Sequence, residues 1–119
     1  MTALLVAAGG VIGVLARYGL GTAVSADALP WVTVAINIAG SFLLGVVTGL
    51  GASIATEVRT AVSIGLLGGF TTFSTFSVDV VRQLDAGDGL KAVLYVAASL
   101  IGGVAAAAAG YYAGRALSA

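Results

Sequence analysis

The chain has 119 residues, 60% of them apolar and 8% charged, with a mean hydropathy of +1.12. A globular domain carries about a quarter charged residues, so this composition excludes an ordinary soluble fold and points to a single domain lying mostly within a bilayer. Five basic residues balance five acidic ones and there is no Cys and no His, which removes a nucleic-acid-binding basic patch, thiol nucleophiles, zinc sites and imidazole acid–base chemistry.

A helix needs about 20 mainly apolar residues to cross the hydrocarbon core, and four segments qualify: residues 3–24, 31–52, 60–81 and 92–113. They predict an all-α, multi-pass protein of the cell membrane, with one four-helix transmembrane domain over residues 1–119. The first segment follows an N-terminus (Met1 to Leu5) without basic residues and is read as a retained span rather than a cleaved signal. It contains Gly9-x-x-x-Gly13, a spacing that lets helices approach closely, and then Arg17 one turn later. An intramembrane cation is rare and usually faces a cavity or a counter-charge. No acidic residue lies deep in any span, and Asp79 near the end of the third is the one candidate partner. Arg17 either snorkels to the interface or makes the mouth of a pathway attractive to anions.

Asp27 and Pro30 separate the first two spans. In the second, Thr33, Asn37, Ser41, Gly45 and Gly49 recur every four residues and form one slowly drifting stripe. Asn37 at mid-membrane must face protein or water, as an interhelical hydrogen bond or as a pore-lining amide.

After Glu57 and Arg59, the third span carries Gly65-x-x-x-Gly69 and the run Gly68-Gly69-Phe70-Thr71-Thr72-Phe73-Ser74-Thr75-Phe76-Ser77. Adjacent Gly followed by adjacent Thr is poor material for a continuous helix. A break would free backbone groups, tolerated in a membrane only where they are buried in protein or line a water cavity. Freed carbonyls suit a cation such as Na+, and the amides of a restarting half-helix suit an anion. Phe73 and Phe76, three apart, can share a face and offer partly positive ring edges. The plainer alternative is a kinked helix with no site.

The last connector holds Arg82, Asp85, Asp88 and Lys91 with Gly87 and Gly89. In the fourth span Tyr95 and Ser99 are one turn apart, ahead of Gly103 and Gly110-x-x-x-Gly114. Their hydroxyls either extend a polar track or bond within their own helix. Tyr18, Trp31, Tyr111 and Tyr112 lie towards span ends, where aromatic rings suit the interface. With four spans, Arg59 and Arg115 fall on one side and Arg82 and Lys91 on the other. That balance gives the positive-inside rule little to act on, and predicts dual topology with an antiparallel homodimer. The alternative is an orientation set by a partner or by Arg17 alone.

The motifs Gly9-Gly10-x-x-Gly13-x-x-x-Arg17-Tyr18, Thr33-x-x-x-Asn37-x-x-Gly40-Ser41-Phe42-Leu43-Leu44-Gly45 and the third-span run resemble those of the Fluc/CrcB family of fluoride channels, over nearly the whole chain. The resemblance implies a dual-topology antiparallel homodimer with a broken third helix, two fluoride pathways along the subunit interface and a central structural Na+. It implies that Phe73 and Phe76 contact fluoride and that Asn37 lines the pore. Thr72, Ser74 and Thr75 would add hydroxyls, and Tyr95 and Ser99 would continue the track on the fourth span. Gly68 and Thr71 would offer backbone carbonyls to the Na+, and Arg17 would sit near an aqueous vestibule. Val14, where the family often has a smaller residue, and the alanine-rich stretch Ala105 to Ala109 are departures.

The implied function is passive, fluoride-selective conduction down the electrochemical gradient, lowering cytoplasmic fluoride, with neutral donors replacing the ion's hydration shell. No enzyme is implied. A small multidrug-type transporter is the first rival, but it needs an embedded carboxylate, and Asp27, Glu57, Asp79, Asp85 and Asp88 all lie in connectors or near span ends. A membrane lipid kinase would need a phosphate site and Mg2+ carboxylates near the interface. A non-conducting assembly protein would use the polar stripes only for helix association.

Overall fold

Each predicted span is helical in the computed structural model, which describes residues 1–119. Helix α1 covers Thr2–Thr22 and α2 covers Leu29–Leu50. The third span is two helices, α3 over residues 56–70 and α4 over Phe73–Asp85. Helix α5, Gly89–Ser118, is the fourth. Pro30 sits in the first turn of α2, where its missing N–H costs nothing. Gly87, at φ +78°, turns the chain between α4 and α5 in a conformation that L side chains resist.

The four Gly-x-x-x-Gly pairs mate two by two. Between α2 and α5, a Cβ at Gly45 would meet the Ala107 carbonyl and stand 2.9 Å from the Tyr111 nitrogen. One at Gly49 would meet the Tyr111 carbonyl, 2.9 Å from the Arg115 nitrogen. From the other side, Gly110 and Gly114 lie against the carbonyls of Phe42 and Val46. Between α1 and α3, Cβ atoms at Gly9 and Gly69 would come 2.7 Å from the Ala61 oxygen and 2.8 Å from the Gly10 oxygen. One at Gly13 would come 2.9 Å from the Phe70 nitrogen, and one at Gly65 would come 3.0 Å from the Val6 Cα. Hydrophobic burial does not drive helix association in lipid, so such close backbone contact is what holds each pair. Contacts between the two pairs are far fewer than contacts within them.

Helix α3 is irregular before it ends. Ala61–Leu67 is π-helical, a wide form that is rare beyond a single turn. Nothing in the residue pattern forewarns of it. Ser63 Oγ donates to the Arg59 carbonyl at 2.6 Å, taking the acceptor that an α-helical Ser63 N–H would use. After Phe70 the chain leaves the helix: Thr71 (φ −86°, ψ 159°) and Thr72 (φ −152°, ψ 119°) are extended. Thr72 then caps α4, its hydroxyl accepting from the Thr75 N–H at 3.3 Å. The predicted break therefore falls at residues 71 and 72. Val34, Phe76 and Tyr95 form a buried apolar cluster close to that break.

Candidate functional site

An extended dipeptide in mid-span exposes a backbone donor and acceptor that hydrocarbon cannot satisfy. Asn37 of α2 meets both. Its Nδ2 donates to the Thr72 carbonyl at 2.9 Å, and its Oδ1 accepts from the Thr72 N–H at 2.9 Å. Of the two roles open to Asn37, the interhelical bond is present and is made to the break itself. The Nδ2 group keeps a second N–H beyond the one used on Thr72.

Diverting the Thr72 N–H to Asn37 takes from the Gly68 carbonyl the donor it would have in a continuous helix. The Thr71 carbonyl receives no backbone hydrogen bond either. Both are neutral, hard oxygen donors of the kind Na+ accepts, and they fit the pair expected to hold it. Two oxygens from one chain are an incomplete shell. No cluster of three or more acidic, Cys or His side chains offers another metal site.

Arg17 Nε donates to the Gly69 carbonyl at 3.3 Å. The guanidinium thus sits at the C-terminal end of α3, where the helix dipole favours a cation. Asp79 is not its partner. Asp79 Oδ2 instead accepts from the Tyr95 hydroxyl at 2.9 Å, a pairing the sequence did not suggest.

Three cavities lie along the restarted helix. The first, about 240 Å³ and open to the surface, is bordered by Asn37 and Ser41 of α2, Thr71 and Thr72 at the break, Phe73 and Phe76 of α4 and Ser99 of α5. The second, about 310 Å³, is bordered by Arg17, Tyr18, Thr33, Thr72 and Thr75. The third, about 240 Å³, lies beside Ser74, Thr75, Asp79 and Arg82. Thr72 at the break borders the first two and Thr75 of α4 the last two, so the start of α4 links them in series. The α4 N-terminus adds the partial positive charge of its first-turn amides there.

Phe73 and Phe76 do lie together, with ring centroids 5.8 Å apart and planes inclined at 44°. Their surroundings differ sharply. Phe76 is 9% exposed and stacks on Tyr95 at 5.1 Å, whereas Phe73 is 76% exposed and projects from the chain. Tyr95 is completely buried, its hydroxyl given to Asp79 and its ring edge-on to Trp31 at 6.0 Å. Of the two fourth-span hydroxyls, only that of Ser99 reaches the first cavity, where Ser99 Oγ is buried without a hydrogen-bond partner.

Gly40 and Ser41 also border the first cavity and escaped the sequence-based set. The signal for Ser41 was present in the four-residue stripe through Asn37. Gly40 owes its place to fit, since a Cβ there would run into the Thr71 Cγ2 and lie 3.8 Å from the Phe70 ring.

Comparison with known proteins gives one consistent result. A family model described as "CrcB-like protein, Camphor Resistance (CrcB)" matches residues 4–111. The chain is 45% identical to a "Fluoride-specific ion channel FluC" of Rhodospirillum centenum, over 96% of this chain and 92% of that one. It is 43% identical to a protein of the same name from Thermus thermophilus, over 96% and 95%. A third, from Rhizobium leguminosarum bv. trifolii, is 41% identical over 98% of both chains.

Proposed function

This chain belongs to the CrcB-like family, and from that premise we propose that it is a multi-pass membrane channel specific for fluoride, moving the ion passively down its gradient across the membrane and out of the cytoplasm. The observation that carries the proposal is the helix break at Thr71 and Thr72, stitched to Asn37 and opening onto a cavity of hydroxyls and two phenyl rings.

A small, strongly hydrated anion enters such a passage only if other donors replace its water. The spare Asn37 N–H, the Thr72 and Ser99 hydroxyls and the edges of Phe76 and Phe73 are neutral partners. They stabilise an anion in transit without the tight hold of a buried cation. Ser74 and Thr75 carry the donor wall on along α4, and Tyr95 holds Phe76 in place by stacking. Arg17, beside the second cavity, raises the local concentration of anions at its mouth.

The working unit in this reading is an antiparallel homodimer with two pathways. Balanced basic residues on the two sides support dual insertion. The exposed ring of Phe73, flanked by exposed Ser74 and Thr75, supports a second copy covering that face and completing each pathway. Gly68 and Thr71 carbonyls from both copies would then give four oxygens around a shared Na+.

The test is fluoride efflux from liposomes, followed with a fluoride electrode. The channel passes fluoride and excludes chloride; equal rates for the two ions would overturn the selectivity.

A further inference from the structure

Hydroxyls in the spans behave in two ways. Five of them donate to the carbonyl four residues back: Thr33 to Leu29 at 3.1 Å, Thr60 to Thr56 at 2.8 Å, Ser63 to Arg59 at 2.6 Å, Thr71 to Leu67 at 3.0 Å and Ser77 to Phe73 at 3.0 Å. That is the ordinary way for a helix to satisfy a hydroxyl away from water. Thr48, Ser74 and Thr75 make no such bond but are exposed; Ser41 and Ser99, which are less exposed, have the same option towards Asn37 and Tyr95, and neither takes it. The Ser99 Oγ is buried with no partner, and Ser41 is half-buried with its hydroxyl in no hydrogen bond.

Both belong to the first cavity, one from α2 and one from α5. Ser41 stands one turn beyond Asn37 on the same face of α2. Its Oγ is 3.8 Å from where a Cβ on Gly103 would stand, so it points at α5 one turn past Ser99. An unpaired hydroxyl shielded from water carries a free-energy cost. That cost falls on the Ser99 Oγ; the Ser41 hydroxyl stays unpaired on the rim of the same cavity, and two such hydroxyls, on helices that offered each a carbonyl, mark donors held in reserve for a ligand that accepts.

We infer that Ser41 is a further anion-coordinating residue of the pathway, acting with Ser99 as a pair of facing hydroxyl donors for a small, strongly hydrated anion one turn beyond Asn37. The inference rests on the fluoride-channel reading and extends it to a residue outside the implied set. Its physical basis is the rotor: a hydroxyl free of its own helix turns its proton towards a passing ion and afterwards releases it, at no cost in backbone hydrogen bonding.

The experiment compares Ser41→Ala, Ser41→Cys, Ser99→Ala and the Ser41→Ala/Ser99→Ala double variant with the parent channel in the same liposome efflux assay. Loss of one neutral donor lowers fluoride flux by about five- to tenfold in Ser41→Ala. Ser41→Cys falls between parent and Ala, because a thiol of similar size donates weakly. If both hydroxyls serve one ion, the double variant loses much less than the product of the single losses, and half-saturating fluoride rises in every variant. Parent-like flux in Ser41→Ala or Ser41→Cys overturns the role of Ser41 while leaving the channel reading intact. Multiplicative losses in the double variant overturn the pairing. A parent protein that passes no fluoride removes the channel reading itself. The Cys variant keeps the side-chain volume, so the question is answered even where Ala disturbs folding.

Discussion

Asn37 and Thr72, 35 residues apart in sequence, share two hydrogen bonds of 2.9 Å that involve both main-chain polar groups of Thr72. One carboxamide therefore does for a broken helix what two peptide groups do in an intact one. Asn37→Leu leaves both Thr72 groups without a partner and lowers stability by about 2–4 kcal/mol, from two unmet buried groups. Asn37→Asp keeps the acceptor, loses the donor and adds negative charge beside the cavity proposed for the anion, so fluoride flux falls further than stability does. Thermal unfolding in detergent, set beside liposome flux, separates the two effects.

The two phenylalanines answer differently to loss of the ring. Phe76 is enclosed and stacked on Tyr95, so Phe76→Ala lowers the unfolding free energy by about 3–5 kcal/mol. Phe73 projects outward, and Phe73→Ile leaves the stability of the single chain within about 0.5 kcal/mol. Both variants lose fluoride flux. The contrast is read from melting temperature against efflux rate.

Tyr95→Phe removes the donor that Asp79 accepts and leaves a partly shielded carboxylate without it, costing about 1–3 kcal/mol. Asp79→Asn retains an acceptor for the Tyr95 hydroxyl and is the milder change. The order of melting temperatures, parent above Asp79→Asn above Tyr95→Phe, checks the pairing.

Gly45→Val places branched carbons against the Ala107 carbonyl and the Tyr111 nitrogen. Backbone atoms cannot swing aside, so α2 and α5 separate, at a cost of about 3 kcal/mol or more. The expected result is a broadened or aggregated elution profile in detergent. Gly19→Ala, where nothing lies within 4 Å of the added carbon, elutes like the parent.

Stability in the dimer should rise with Na+ concentration if the Gly68 and Thr71 carbonyls of two copies hold it, since a ligand bound only by the folded state stabilises that state by mass action. Melting temperature is measured in Na+ buffer and in a buffer whose only cation is a bulky organic ammonium. A higher value in Na+ is expected, and identical values refute the site.

The four spans were legible because length and hydropathy alone decide them, and the break was legible because Gly68-Gly69 and Thr71-Thr72 are weak helix formers placed where water cannot help. What the sequence could not supply was partnership across helices. Four-residue spacing shows that Gly45 and Gly49 define a face, but their match to Gly110 and Gly114 depends on how the helices rotate and slide. For the same reason Asp79 looked like a partner for Arg17, although the folded chain gives it to Tyr95 and gives Arg17 a carbonyl. The π-helical turns of α3 stayed hidden because no residue type announces them: the bond Ser63 makes four residues back is made equally by Thr33 and Ser77 in regular α-helix. Ser41 was visible in the stripe, but only coordinates reveal that its hydroxyl is unspent.

The pairing of glycines divides the molecule into two zippered leaves, α1 with α3 and α2 with α5, and the helix break with its Asn37 partner lies on the seam between them. A disturbance that prises the leaves apart reaches the Asn37 stitch and the cavity beside it before it reaches either zipper. Permeation can thus be retuned by small changes along the seam while each leaf stays whole.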